Sequence, residues 1–156
     1  MANGITIGKW ADLDPESQKL IKKAEEALQN AYAPYSKFRV AAAILLDNDL
    51  VITGTNQENA AYPDGMCAER VALFAMASQH PDRHIKKMVV VAKAENAQGL
   101  SPATCCGSCR QVMLEFEQRQ GKPYEVVMQS YDREWVTASA VELLLPFSFS
   151  KRNLSN

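Results

Sequence analysis

Lys87-Met-Val-Val-Val-Ala92 and Tyr124-Glu-Val-Val-Met128 are two short, nearly continuous apolar runs, separated by a stretch with helical character from Cys106 to Gln120. A run that is apolar on both faces belongs to a strand covered on both sides. The order strand, helix, strand therefore predicts a parallel crossover. Upstream, Val40-Ala-Ala-Ala-Ile-Leu-Leu46 and Leu50-Val-Ile-Thr-Gly-Thr55 flank the turn residues Asp47-Asn-Asp49, which predicts a hairpin. Downstream, Trp135-Val136 supplies a last short strand. Asp14-Pro15 opens an amphipathic helix carrying Leu20, Ile21, Ala24, Leu28 and Ala31, and Met66 to Gln79 is a second helix closed by Pro81. A final helix is expected from Ser139 to Leu144. The fold class that follows is α/β: three layers, α/β/α, around a central mixed five-stranded sheet with right-handed crossovers.

The 156 residues suffice for one core and are short for two. One domain is expected over residues 14–150, with an N-terminal extension over 1–13 that has no assigned role and a flexible tail over 151–156. Lys+Arg total 17 against 18 Asp+Glu, a net charge of −1, and no basic run stands out, so a nucleic-acid partner is not expected. Met1 to Gly8 lacks a basic segment followed by an apolar stretch, and no apolar run approaches bilayer length. The expectation is a cytoplasmic protein with no membrane partner.

Four cysteines, Cys67, Cys105, Cys106 and Cys109, include three within five residues, a poor disulfide framework and a better metal cluster in a reducing compartment. Cys106-Gly-Ser-Cys109 puts two thiols on one face at a helix start, and Cys67 sits at the start of another helix, where thiolates are stabilised. Three thiolate ligands would leave one position open, as in catalytic zinc sites, whereas a structural site needs four. Cys105, His80 and His84 are the possible fourth ligands. Cys105 adjoins Cys106, and the histidines flank the turn Pro81-Asp-Arg83, so none is favoured. Glu69, two residues after Cys67, is either a proton carrier beside the metal or a carboxylate that merely suits a helix N-terminus.

The segments Asn56-Gln-Glu58-Asn-Ala60-Ala-Tyr62-Pro-Asp-Gly-Met-Cys67-Ala68-Glu69-Arg70 and Cys106-Gly-Ser-Cys109-Arg-Gln111 resemble the signature of the small zinc cytidine deaminases. The resemblance extends to Ala31-Tyr-Ala-Pro-Tyr-Ser-Lys-Phe38 and Glu142-Leu-Leu-Leu-Pro-Phe-Ser-Phe149, so it spans roughly residues 17 to 150. It implies that Cys67, Cys106 and Cys109 hold one Zn²⁺ per subunit and that Glu69 shuttles protons during hydrolysis of cytidine or 2′-deoxycytidine to uridine or 2′-deoxyuridine, with release of ammonia, a step of pyrimidine salvage. It further implies Asn56 and Glu58 on the ribose 3′-hydroxyl, Phe38 against the base, and the Ala68 N–H on the pyrimidine O2. Ala60, Tyr62 and Phe149 would reach a neighbouring subunit's substrate in a homotetramer. Three thiolates outweigh one Zn²⁺, and Arg70 is the guanidinium expected to offset that charge. The sequence departs from the family at Cys105, where proline is usual. The competing readings are a deaminase of another cytosine-bearing small molecule, one acting on RNA or DNA, and a non-catalytic zinc domain.

Overall fold

The computed structural model describes residues 4–154. Among the described residues six strands form one sheet: β1 (Ile5–Gly8), β2 (Phe38–Leu46), β3 (Val51–Thr55), β4 (Ile85–Ala94), β5 (Glu125–Gln129) and β6 (Trp135–Ala138), in the order β1-β6-β5-β4-β2-β3. Of these six strands only β4 and β5 pair in parallel, in register Met88 to Val126, and the helix α3 (Gly107–Gln120) lies between them in the chain, as the two apolar runs predict. The remaining pairs are antiparallel, so the sheet is mixed.

Alternation along β2 and β4 divides the core. Ala42, Ile44, Leu46, Met88 and Val90 pack with residues of α2 (Ala68–Gln79) and α3, among them Leu73, Met76, Met113 and Phe116. Ala41, Ala43, Leu45, Val89 and Val91 face the other way, onto Leu20, Ile21 and Ala24 of α1 (Pro15–Ala27). Helices therefore cover both faces of the sheet, two on one side and one on the other. Asp14 caps α1 as its sequence predicts, its side chain accepting from Ser17 N at 2.9 Å with Pro15 at the first helical position.

Two elements differ from expectation. The sheet has six strands where the sequence predicts five, because Ile5-Thr-Ile-Gly8, in the N-terminal extension, pairs antiparallel with β6 from Ile5↔Ala138 to Gly8↔Trp135. Trp10 then meets Trp135 edge-on at 5.9 Å between ring centroids. Four residues carry too little periodicity to announce a strand, and this one exists because β6 offers it a free edge. The expected final helix from Ser139 is a 3-10 turn over Val141–Leu144. In the expected loose tail, Lys151–Asn153 form a short 3-10 turn capped by Ser150, while residues 155–156, like 1–3, lie outside the described residues.

Candidate active site

The site forms where the N-termini of α2 and α3 converge on the same face of the sheet. Both helices begin on a cysteine. Cys67 is the extended N-cap of α2 (φ −72°, ψ 150°), so the helix starts at Ala68 rather than at Met66. Cys106 is the N-cap of α3 (φ −69°, ψ 163°), and its Sγ accepts from Cys109 N at 3.4 Å. At Cys106 the sulfur thus takes the place of the usual hydroxyl or carboxylate cap, whereas the Cys67 side chain makes no cap hydrogen bond and gains only the positive end of the helix dipole.

The approach of α2 to the sheet is set by Gly54 on β3. A Cβ there would lie 2.3 Å from Ala72 N and 2.6 Å from Ala68 O, so the first turn of α2 rests directly on the strand backbone.

The Sγ atoms of Cys67, Cys106 and Cys109 all lie within 4.8 Å of one another. Such a cluster can place three sulfurs at about 2.3 Å from one tetrahedral zinc. Neither Cys105 nor either histidine joins the group among the described residues. Cys105 is 2 % exposed in the apolar core, and His84 Nδ1 instead faces Asp47 Oδ2 at 3.3 Å. Donor chemistry and spacing thus fit a zinc ion with three protein ligands. Within the cluster, a hydrogen bond from Cys109 holds the Cys67 thiol down at about 5 against its burial, and Arg70 assists. That bond to Cys67, together with burial, holds Cys109 up. The Arg70 Nη2 donates to Cys67 Sγ at 3.6 Å.

Glu69, in the first turn of α2, is 4 % exposed. Burial pushes its carboxyl up from the ordinary value, and the Cys67 charge adds to the effect. A carboxylate present only to favour the helix dipole would be solvated, so its burial argues against that reading.

Beside the sulfurs opens a cavity of about 700 Å³, lined by Phe38, Asn56, Glu58, Tyr62, Cys67, Ala68, Glu69, Arg70 and Cys106. They belong to strand ends, a 3-10 turn, connecting loops and helix starts that the fold brings to one end of the sheet. Asn56 also holds the backbone together. Its Oδ1 accepts from Val40 N (2.8 Å) and its Nδ2 donates to Phe38 O (3.0 Å), pinning the start of β2. Glu58 Oε2 accepts from Tyr35 N (2.9 Å) and Ser36 N (3.2 Å), and hydrogen bonding from Ser36 holds its carboxyl below the ordinary value. Ala60 and Phe149 do not line this cavity and are exposed. Sequence reasoning misses Tyr35, Ser36, Val90, Ala103 and Thr104, which also line it. Tyr35 and Ser36 are within its reach, since Ala33-Pro34 already marks them as a loop, whereas Val90 looks like plain core until the sheet is assembled.

An α/β/α domain presenting three cysteines and a buried glutamate at two converging helix starts defines a zinc hydrolase-type centre. Residues 14–122 match the cytidine and deoxycytidylate deaminase zinc-binding region. The chain is 40% identical over 141 residues to a cytidine deaminase of Halalkalibacterium halodurans, covering 90% of this chain and 99% of the relative. It is 39% identical over 138 residues to a cytidine deaminase of Sporosarcina psychrophila, covering 88% and 94%. The crystal structure of cytidine deaminase from Burkholderia pseudomallei superposes with a TM-score of 0.70 at 36% identity, covering 88% of this chain and 100% of that one. The chain belongs to the cytidine and deoxycytidylate deaminase family.

Proposed function

We propose that the protein hydrolyses cytidine and 2′-deoxycytidine to uridine and 2′-deoxyuridine, releasing ammonia, as a step of cytoplasmic pyrimidine salvage. The observation that carries the proposal is Glu69, 4 % exposed, beside the three-sulfur cluster in the wall of a nucleoside-sized cavity. Cys67, Cys106 and Cys109 would hold the zinc. When bound, the ion supplies the Lewis acidity that makes water nucleophilic near neutral pH. Glu69 accepts the proton of the attacking water, delivers it to ring N3 as C4 is attacked, and assists protonation of the departing amine. Its seclusion from bulk water keeps that proton on the reaction coordinate.

Phe38 packs against the base and the Ala68 N–H, at the first residue of α2, meets the pyrimidine O2. Asn56 and Glu58 take the ribose 3′-hydroxyl. Both are already committed to backbone groups, so they wait in a fixed geometry and discriminate against a ligand lacking that hydroxyl. Arg70 offsets part of the thiolate charge through Cys67. The reading includes four copies of the chain, with Ala60, Tyr62 and Phe149 reaching into a neighbour's cavity. A net charge of −1 without a basic run suits a small-molecule substrate better than a nucleic acid. Among the described residues no helix is long and apolar enough to cross a membrane.

The decisive experiment is Glu69→Gln, assayed for ammonia release from cytidine alongside bound zinc. We expect zinc to be retained and turnover to fall by at least about 10²-fold. A wild-type protein that releases no ammonia from either nucleoside would overturn the proposal.

A further inference from the structure

The loop that delivers Cys106, between β4 and α3, has little regular structure to hold it. Ser101 N donates to Ala92 O at 2.8 Å and Ala103 N to Gln129 O at 3.0 Å, after which Thr104 is exposed and Cys106 itself is exposed. Arg110, in the first turn of α3, reaches back over this gap. Its Nε donates to Cys105 O at 2.9 Å and its Nη1 to Leu144 O at 3.0 Å.

These bonds have different characters. Leu144 ends the 3-10 turn Val141–Leu144, which is fixed to α3 because Val141 N and Glu142 N donate to the buried Glu117 at 2.7 and 3.3 Å. The Leu144 carbonyl is thus a firm post. The Cys105 carbonyl belongs to the peptide whose nitrogen is that of Cys106. A peptide is planar, so holding that oxygen fixes the plane from which Cys106 departs. The guanidinium is a rigid fork that cannot satisfy both carbonyls unless the loop sits at one height above the helix.

We infer that Arg110 is the positioning residue of the metal loop, clamping the peptide before Cys106 to the C-terminal turn so that the exposed sulfur stays in register with Cys67 and Cys109. It follows the ligand Cys109 directly in the chain and pins the peptide entering Cys106, which ties both α3 sulfurs to one side chain. The inference rests on the reading that these three sulfurs hold the ion.

The test compares zinc release to a chromogenic chelator, and the thiolate-to-metal absorption of the Co²⁺-loaded protein, in wild type, Arg110→Gln, Arg110→Lys and Lys87→Gln. Arg110→Gln should release zinc about tenfold faster, with an altered Co²⁺ spectrum. Arg110→Lys, which can serve one carbonyl at a time, should fall between. Lys87→Gln, on the α1 face of the sheet, should lower the melting temperature without changing release. Release at the wild-type rate from folded Arg110→Gln overturns the inference, as does equal acceleration by Lys87→Gln, which would mean general loosening. Should Arg110→Gln fail to fold, Arg110→Lys decides, and a wild-type rate there overturns the inference. A wild type that takes up no stoichiometric zinc would instead sink the metal reading itself.

Discussion

Asp14 does two jobs with one carboxylate. It caps α1 through Ser17 and it receives Lys87, a lysine only 6 % exposed on β4, at 2.9 Å. Lys87 Nζ also lies 2.9 Å from Glu125 Oε1 and donates to Ser17 Oγ at 2.7 Å, so one buried cation joins α1, β4 and β5. Burial works to raise the Asp14 value, but the bonds from Ser17 and Lys87 prevail and hold it down at about 2 from 3.8. A carboxyl that is more acidic in the folded chain than in the unfolded one stabilises fully above about pH 4, and that contribution is lost as pH falls toward 2. The side chain is 49% exposed, so solvent screening leaves about 1 kcal/mol of the effect. Urea midpoints at pH 6 and pH 2.5 should show wild type losing about that much more stability on acidification than Asp14→Asn; equal losses would show that Asp14 contributes nothing to acid sensitivity. The cap is readable from Asp14-Pro15, but the lysine is not, because Lys87 opens an apolar run and its three carboxylate partners, Asp14, Glu16 and Glu125, lie 73, 71 and 38 positions away in the chain.

Among the elements, the contact of α2 with β3 decides whether Cys67 and Glu69 reach the cavity. Gly54 lets the Ala68–Ala72 turn sit directly on the strand, where a methyl would approach Ala72 Cα to 2.8 Å and its nitrogen still more closely. Backbone cannot yield as a flexible side chain does, so Gly54→Ala should cost about 1–3 kcal/mol or push the start of α2 outward. We expect a lower melting temperature together with weaker zinc retention, and a variant that matches wild type in both would disprove the role given to this contact. The helices and central strands are legible because their periodicities are long and consistent, and Cys67, Cys106 and Cys109 are legible together as a metal cluster because two separate helix starts carry them, whereas the residues alone leave Glu69 open between proton carrier and helix-dipole carboxylate. Gly54 is not. In Val51-Ile-Thr-Gly-Thr55 it reads as an ordinary weak spot in a strand, and its purpose exists only once α2 has docked. β1 is invisible for a similar reason, since Ile5-Thr-Ile-Gly8 becomes a strand only beside β6.

For the molecule as a whole, the surface asks for a partner. Tyr62 is 77% exposed at the cavity and Phe149 is 59% exposed, while Phe147 stands fully free of the chain with its backbone in the left-handed region (φ 56°). A bulky residue held there costs roughly 1–2 kcal/mol, which isolated packing does not return, and an aromatic ring left in water returns nothing either. Self-association would bury such rings, and Gln111 of the metal helix already anchors the segment by donating to Phe149 O at 2.9 Å. The exposed rings set no copy number, but with the four copies of the proposed reading light scattering should report a mass of four chains of 17.3 kDa each. Phe149→Ala should shift that mass downward on dilution and reduce cytidine turnover in step with the lost assembly, because the cavity wall would be missing its contribution from the neighbour. A monomer with full turnover at every concentration would confine the active site to one chain and leave these exposed rings without the purpose assigned to them.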